Sequence, residues 1–393
     1  MIQLIFLLTI SVFIVHARLD KETIFLREEA HLKNASNFIE KSTESLLKIF
    51  GLSSSTVVLE NKEQPHKFME YIYKTYTSMY ERGLPLLADT VRGCTDLGVN
   101  SRRFANFPYV AYKFDIPKIQ PTETLIKVEL KILVRFSDFE IVNVNRNFLK
   151  LYLYGVLKGN KQKSPLLIEL ATKVVPTSYD RDSVWITFEV TSFLLAQITQ
   201  EAQKKHVKFT LRIKSMHGGT TIPPTMVGFH NATHQKNVTE KSILVYFSLD
   251  SVNQDTRTSV NLRTKRGLAD ITENEQKKNK KNKNHKTLNN DNKKCRRKSM
   301  KVNLSELKWD KWFMNPIKFN AYYCHGSCAH PLTVTTDNHA TIQSMMHKLN
   351  TKIVGPPCCV PTEYEKLLVL YMQENNPTIR LINGLIVKAC GCK

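Results

Sequence analysis

Cys324-His325-Gly326-Ser327-Cys328, then Cys358-Cys359, then Cys390-Gly391-Cys392, with Cys295 ahead of them, are the residues that decide how this chain ends. Seven of the eight cysteines fall between residues 295 and 392, and Cys94 stands alone far upstream. Cysteines at that density, in an oxidising compartment, form bridges in small domains whose own core is too thin. Seven is odd, so at least one thiol either joins a second chain or stays reactive. Zinc is the rival reading, with Cys324, His325, Cys328, His330, Cys390 and Cys392 as ligands of suitable type, but their spacings match no common zinc module.

The compartment is read at the other end of the chain. Residues 1–17, MIQLIFLLTISVFIVHA, form an uncharged apolar run closing on Val15-His16-Ala17, the pattern of a signal peptide cut after Ala17. The run is shorter than the ~20 residues that span a bilayer, and no later segment is long and apolar enough. A secreted product is expected, with no membrane span. The sequons at Asn34, Asn231, Asn237 and Asn303 agree with secretory passage. A formal charge of +22 calls for an anionic partner. Outside the cell that partner is a sulfated glycan such as heparan sulfate rather than nucleic acid.

Between the lone cysteine and the cluster lies Arg263-Thr264-Lys265-Arg266, a basic tetrapeptide of the kind that a proprotein convertase binds through an acidic cleft. It follows the apolar run Ile243 to Phe247 and precedes a segment, 267–294, that is rich in Lys and Asn. That segment cannot bury enough surface to order itself, and Lys277, Lys278, Lys280, Lys281, Lys283 and Lys286 give it the charge to hold a glycan. The expected domains are therefore a signal peptide at 1–17, a prodomain at 18–266, a basic tail at 267–294 and a cystine-rich domain at 295–393. Within the prodomain, ESLLKIFG at 44–51 and FMEYIYKTYTSMY at 68–80 carry helical spacing. From about Tyr109 to Asp250 short β-prone runs follow, such as 124–130 and 185–190. This predicts an α+β prodomain, a helical arm leading into a β-rich body.

The cysteine frame resembles that of the transforming growth factor β superfamily in order, spacing and terminal position. CRRKSMKVNLSELKWDKW at 295–312, NAYYCHG and CCVPTE are similar to its bone morphogenetic and decapentaplegic branch, and NHATIQS at 338–344 also resembles nodal. The resemblance implies an all-β-rich cystine-knot growth factor, two finger pairs and one central helix. In it Cys324 pairs with Cys390 and Cys328 with Cys392, the Cys295–Cys359 bridge threads the ring they close, and Cys358 joins two protomers. Such a ring leaves room for the threading bridge only if Gly326 has no Cβ. Asp337 to Asn350 carries Ile342, Met345, Met346 and Leu349 at helical spacing and is the family's central helix, its apolar face packing on the other protomer.

By the same resemblance Trp309 and Trp312, with Ile342, Met345 and Met346 of the partner's helix, form the surface for a type I receptor serine/threonine kinase. Leu368, Val369 and Leu370 form that for a type II receptor. Leu368 stands where related ligands usually have Ser. No nucleophile with base and oxyanion hole, phosphate loop or HExxH helix is found, so no catalytic residue, cofactor or metal is assigned. The expectation is a secreted dimeric ligand, a homodimer or else a heterodimer, released from its own prodomain and bridging receptors that activate Smad signalling. The alternative is an extracellular cystine-knot antagonist or matrix-bound structural protein.

Overall fold

The computed structural model of the chain describes residues 42, 64–99, 108–139, 148–157, 165–176, 183–200, 205–216, 219–230, 237–251, 294–328, 332, 337–373 and 376–393. Two compact units divide it, 1–57 and 58–393, and the elements below belong to the second. The helix expected at 44–51, the signal peptide, the tetrabasic site and the lysine-rich tail lie outside the described residues.

Helix α1, Lys67–Glu81, covers the segment whose spacing predicted it and buries Met69, Ile72 and Tyr76, three and four residues apart. The strands begin earlier than the sequence pattern indicated. Strand β1, Thr90–Thr95, precedes β2, Tyr109–Asp115, and was missed because TVRGCT carries neither alternation nor an apolar run. There follow β3 (Glu123–Phe139), β4 (Phe148–Leu157), β5 (Leu166–Pro176), β6 (Ser183–Glu189), helix α2 (Thr191–Gln200), β7 (His206–Ser215), β8 (Thr221–Ile222), β9 (Val227–Phe229) and β10 (Ile243–Asp250).

Strands β2, β7, β4 and β5 form one antiparallel sheet, with β8 attached to β7. Its inward residues, among them Tyr112, Phe114, Leu151, Leu153, Phe209 and Leu211, pack on Leu130, Ile132, Phe188, Leu244 and Tyr246 of the second sheet. The body built from strands β1 to β10 is thus a sandwich. Strand β10 is buried on both faces, which explains its unbroken apolar run. Leu244 and Tyr246 enter the sandwich core, whereas Ile243, Val245 and Phe247 face α1. Gly93 permits that approach, since a Cβ there would lie 2.7 Å from Met69 Sδ.

The second sheet does not stop at the strands before residue 251. Its order is β13-β16-β17-β1-β10-β3-β6, with β9 on β3. Here β13 (Phe313–Asn315), β16 (Cys359–Gln373) and β17 (Asn376–Cys392) belong to the cystine-rich domain. That domain adds β11 (Arg296–Lys298), β12 (Lys301–Asn303), β14 (Lys318–Asn320), β15 (Tyr323–His325) and helix α3 (Asn338–Leu349). Strand β1 pairs antiparallel with β17 in the register Thr90↔Arg380, Val91↔Ile379 and Arg92↔Thr378, which makes one continuous sheet of two domains.

Candidate functional site

Three bridges hold the C-terminal domain: Cys295–Cys359, Cys324–Cys390 and Cys328–Cys392, with Cα separations of 5.4, 5.7 and 5.8 Å. The Cys295, Cys328 and Cys392 sulfurs lie within 4.8 Å of one another, yet all three are spent in bridges and offer no thiolate to a metal. Gly326 takes φ +129°, and a Cβ there would lie 2.2 Å from Lys294 O and 2.7 Å from Cys295 N. The group it would strike is the backbone of the chain entering the knot. Each bridge contributes about 2–4 kcal/mol, a large share for a domain whose fingers are single β-ribbons.

Cys358 is exposed and unbridged. Its backbone is held firmly, because Cys358 N donates to Lys393 O at 2.7 Å and Lys393 N donates back to Cys358 O at 2.9 Å. The loop before it is tied to α3 by Gln343 Nε2 donating to Gly355 O and by His347 Nδ1 at 2.8 Å from Val354 O. Asp337 caps α3, its Oδ1 accepting from Ala340 N at 2.8 Å. Ala340 and Ser344 bury one side of the helix, while Ile342 is 55% exposed, Met345 44%, Met346 39% and Leu349 81%. The domain therefore carries both an uncovered apolar helix face and an uncovered thiol.

The two tryptophans part company. Trp309 is buried, its ring 5.9 Å from that of Phe313, which in turn meets Tyr371 at 6.1 Å. Trp312 is half-buried. Asn303 accepts from Ser305 N and Asn237 from Thr239 N, each sequon asparagine bonding the backbone of its own serine or threonine. Asn34 and Asn231 lie outside the described residues.

The second finger, β16 and β17, is where the two domains meet. Leu368, Val369 and Leu370 are 5%, 2% and 0% exposed. Leu368 and Leu370 join Ile379 and Leu381 in one core with Met69, Ile72 and Tyr76 of α1, Val91 of β1 and Val245 of β10. Burial of side chains of this size is worth roughly 1.5–3 kcal/mol each. Leucine at 368 suits a position under a helix, where a serine hydroxyl would need a partner. Tyr73 Oη lies 3.4 Å from Leu368 O, and Leu381 N donates to Asp89 O at 3.1 Å. In the intact chain this patch is interior surface.

Charged residues complete the grip. Arg92 and Glu123 form a bidentate pair at 2.6 and 2.7 Å, and Ser248 Oγ donates to the same carboxylate at 2.9 Å. Burial opposes the Arg92 charge, but Glu123 outweighs it and holds the guanidinium above its ordinary pKa. Arg380 of the second finger reaches Asp250 at the end of β10 at 3.1 Å, and Asp250 N donates to Asp89 Oδ1 at 3.0 Å. These residues were absent from the sequence reading, because single charges within β-prone runs read as solvent-facing.

His66 caps α1 at the far end of the same core. Its Nδ1 accepts from Phe68 N at 3.2 Å, so the proton is on Nε2, 2.7 Å from Lys241 O. Burial lowers its pKa from 6.5 to about 4, against the smaller opposing pull of Lys241 O and Glu240.

Residues 294–392 match the family Transforming growth factor beta like domain. Growth/differentiation factor 6-A of Danio rerio is 26% identical over 349 residues, covering 84% of this chain and 83% of that protein. Dorsalin-1 of Gallus gallus is 26% identical over 383 residues, 91% and 87% of the two chains. Bone morphogenetic protein 4 of Rattus norvegicus is 26% identical over 288 residues, 71% and 65%. The first two alignments extend well beyond the C-terminal domain. Among the described residues no helix is long and apolar enough to cross a membrane.

Proposed function

From a chain that belongs to the transforming growth factor β superfamily, bone morphogenetic protein-like and not an enzyme, we infer a secreted growth factor made as a precursor and acting as a dimer. The observation that carries this reading is the knot domain with both an exposed Cys358 and a bare apolar face on α3. An unpaired thiol and an uncovered helix on one small domain are what a covalent homodimer consumes. In that dimer Trp312 and the partner's Ile342, Met345 and Met346 supply the type I receptor surface, with Trp309 supporting it from beneath. Leu368, Val369 and Leu370 supply the type II surface.

Cleavage at Arg266 separates the prodomain from a mature chain starting at Gly267. The burial of Leu368 and Leu370 under α1 and β1 supports a prodomain that withholds the second finger until it dissociates. Two receptor pairs held by one dimer gain affinity from linkage as well as contact, and the assembled kinases activate Smad signalling. The lysine-rich tail lies outside this frame and holds the ligand on heparan sulfate.

The test is a Smad-responsive reporter in receptor-bearing cells given the purified mature dimer and nothing else. Activation in proportion to dose fits an agonist. A silent reporter, with suppression of an added bone morphogenetic ligand, would make the chain an antagonist and overturn the reading.

A further inference from the structure

The outer face of the five-stranded sheet carries an unusual arrangement of charge. Register sets Lys113 of β2 opposite Lys208 of β7, and Lys150 of β4 opposite Lys214 of β7. Arg212 lies between the two pairs on the same face. Like charges directly opposite each other on neighbouring strands are destabilising, and this sheet holds two such pairs at once. The cations are not neutralised from the side. Among the described residues none of the five belongs to an ion pair. Asp115 is engaged by His206 at one corner, and Glu169 accepts from Thr172 at the edge strand β5. The buried Nε of Arg212 has no hydrogen-bond partner.

Aromatic rings orient three of these cations. Lys150 Nζ and Lys214 Nζ each lie 5.2 Å from the ring centre of Tyr152. The Arg212 guanidinium lies 5.9 Å from Tyr109 and 5.4 Å from Tyr154. Contacts of this kind orient a cation without quenching its charge. From Lys208 to Lys214 the row runs along one strand for about 20 Å, taking about 3.4 Å per residue. A flat, linear array of cations and tyrosine rings is complementary to an extended polyanion whose sugar rings can lie against the aromatics.

We propose that this face of the prodomain binds a sulfated glycan, at a site separate from the lysine-rich segment 277–286. The choice of glycan rests on the secreted reading. Anionic lipid is concentrated on the cytoplasmic leaflet, so outside the cell the dense linear polyanion is polysaccharide. The consequence is that the prodomain, as well as the tail, positions the precursor in the matrix.

The experiment uses the whole chain with Arg263→Ala and Arg266→Ala to keep it uncut, and with all eight lysines of the tail, Lys277, Lys278, Lys280, Lys281, Lys283, Lys286, Lys293 and Lys294, changed to Gln to remove their contribution. Applied to immobilised heparin, this protein should be retained and elute at a defined salt concentration. Adding Lys150→Gln, Lys208→Gln and Lys214→Gln should move elution to lower salt. It should also reduce the slope of log affinity against log salt by about three, since each cation lost is one less counterion released. The triple Lys→Arg version should elute with the parent, and heparin should raise the melting temperature of the parent and of this version but not of the Gln variant. Failure of the tail-neutral chain to be retained would overturn the proposal, as would elution unchanged by the Gln substitutions. Sedimentation with phosphatidylserine vesicles that is lost in the Gln variant, while heparin elution stays fixed, would also overturn it and assign the face to lipid. The tail substitutions alone test the other segment, so the two claims fail independently.

Discussion

Acidification from pH 7 to pH 5 should loosen helix α1 from the finger it covers, with His66 as the titrating group. The ring accepts from Phe68 N through Nδ1, so a second proton would have to displace a helix-capping bond and place a positive charge at a helix N-terminus. Its folded pKa is about 4 against 6.5 unperturbed, so the unfolded state binds the extra proton first. Stability is therefore complete above pH 6.5, falls by about 1.4 kcal/mol per unit as pH drops below that, and levels off near pH 4. At pH 5 the loss is about 2 kcal/mol, or roughly a 30-fold larger opening constant. Glu240 faces the ring and its pKa is lowered, first by its hydrogen bond to Lys67, so its own loss of charge comes below 4.5 and outside this interval. Amide hydrogen exchange over Lys67–Glu81 of the uncut chain, corrected for intrinsic rates, reads the opening constant directly. His66→Gln retains a neutral donor for Lys241 O and should abolish the increase. An equal increase in the Gln variant would refute the assignment.

Gly326→Ala places a methyl 2.2 Å from Lys294 O at a positive φ, so bridge mapping of the secreted product should show scrambled pairings and a yield down at least tenfold; correctly bridged protein at ordinary yield would contradict that. Cys358→Ser should run as a monomer on a non-reducing gel, whereas a persistent covalent dimer would point to another cysteine. Glu123→Leu strands the buried Arg92 and should cost about 3–5 kcal/mol in urea unfolding of the uncut chain, while Arg92→Met with Glu123→Leu should recover most of it. Equal losses in the single and the double variant would show that the pair is not coupled.

The knot domain was the most legible part of the chain, because cysteine spacing and a capped helix are local signals. Asp337 and the Ile342–Met345–Met346–Leu349 face needed only thirteen consecutive residues to be read. Strand β10 was legible as a buried run, and α1 as a helix, but neither revealed what it buried. One partner of β1 lies at Thr378–Arg380, about three quarters of the chain away, and no periodicity reports on pairing at such a distance. Leu368 and Leu370 are placed on a receptor surface by resemblance alone, which says nothing of what else in the chain covers them. Their burial under α1 is visible only in the fold, where Met69, Ile72 and Tyr76 share their core. Lys150 and Lys214 carry no signal of their own in the sequence, since only the strand register sets them face to face.

Coverage of the second finger by α1 and β1 is tested by one dose–response comparison. The uncut chain carrying Arg263→Ala and Arg266→Ala is applied beside the mature dimer, at equal molar concentration, to cells bearing a Smad-responsive reporter. The account predicts full response to the mature dimer and at least a tenfold weaker response to the uncut chain, whose Leu368 and Leu370 stay beneath α1. Equal potency of the two proteins would contradict it.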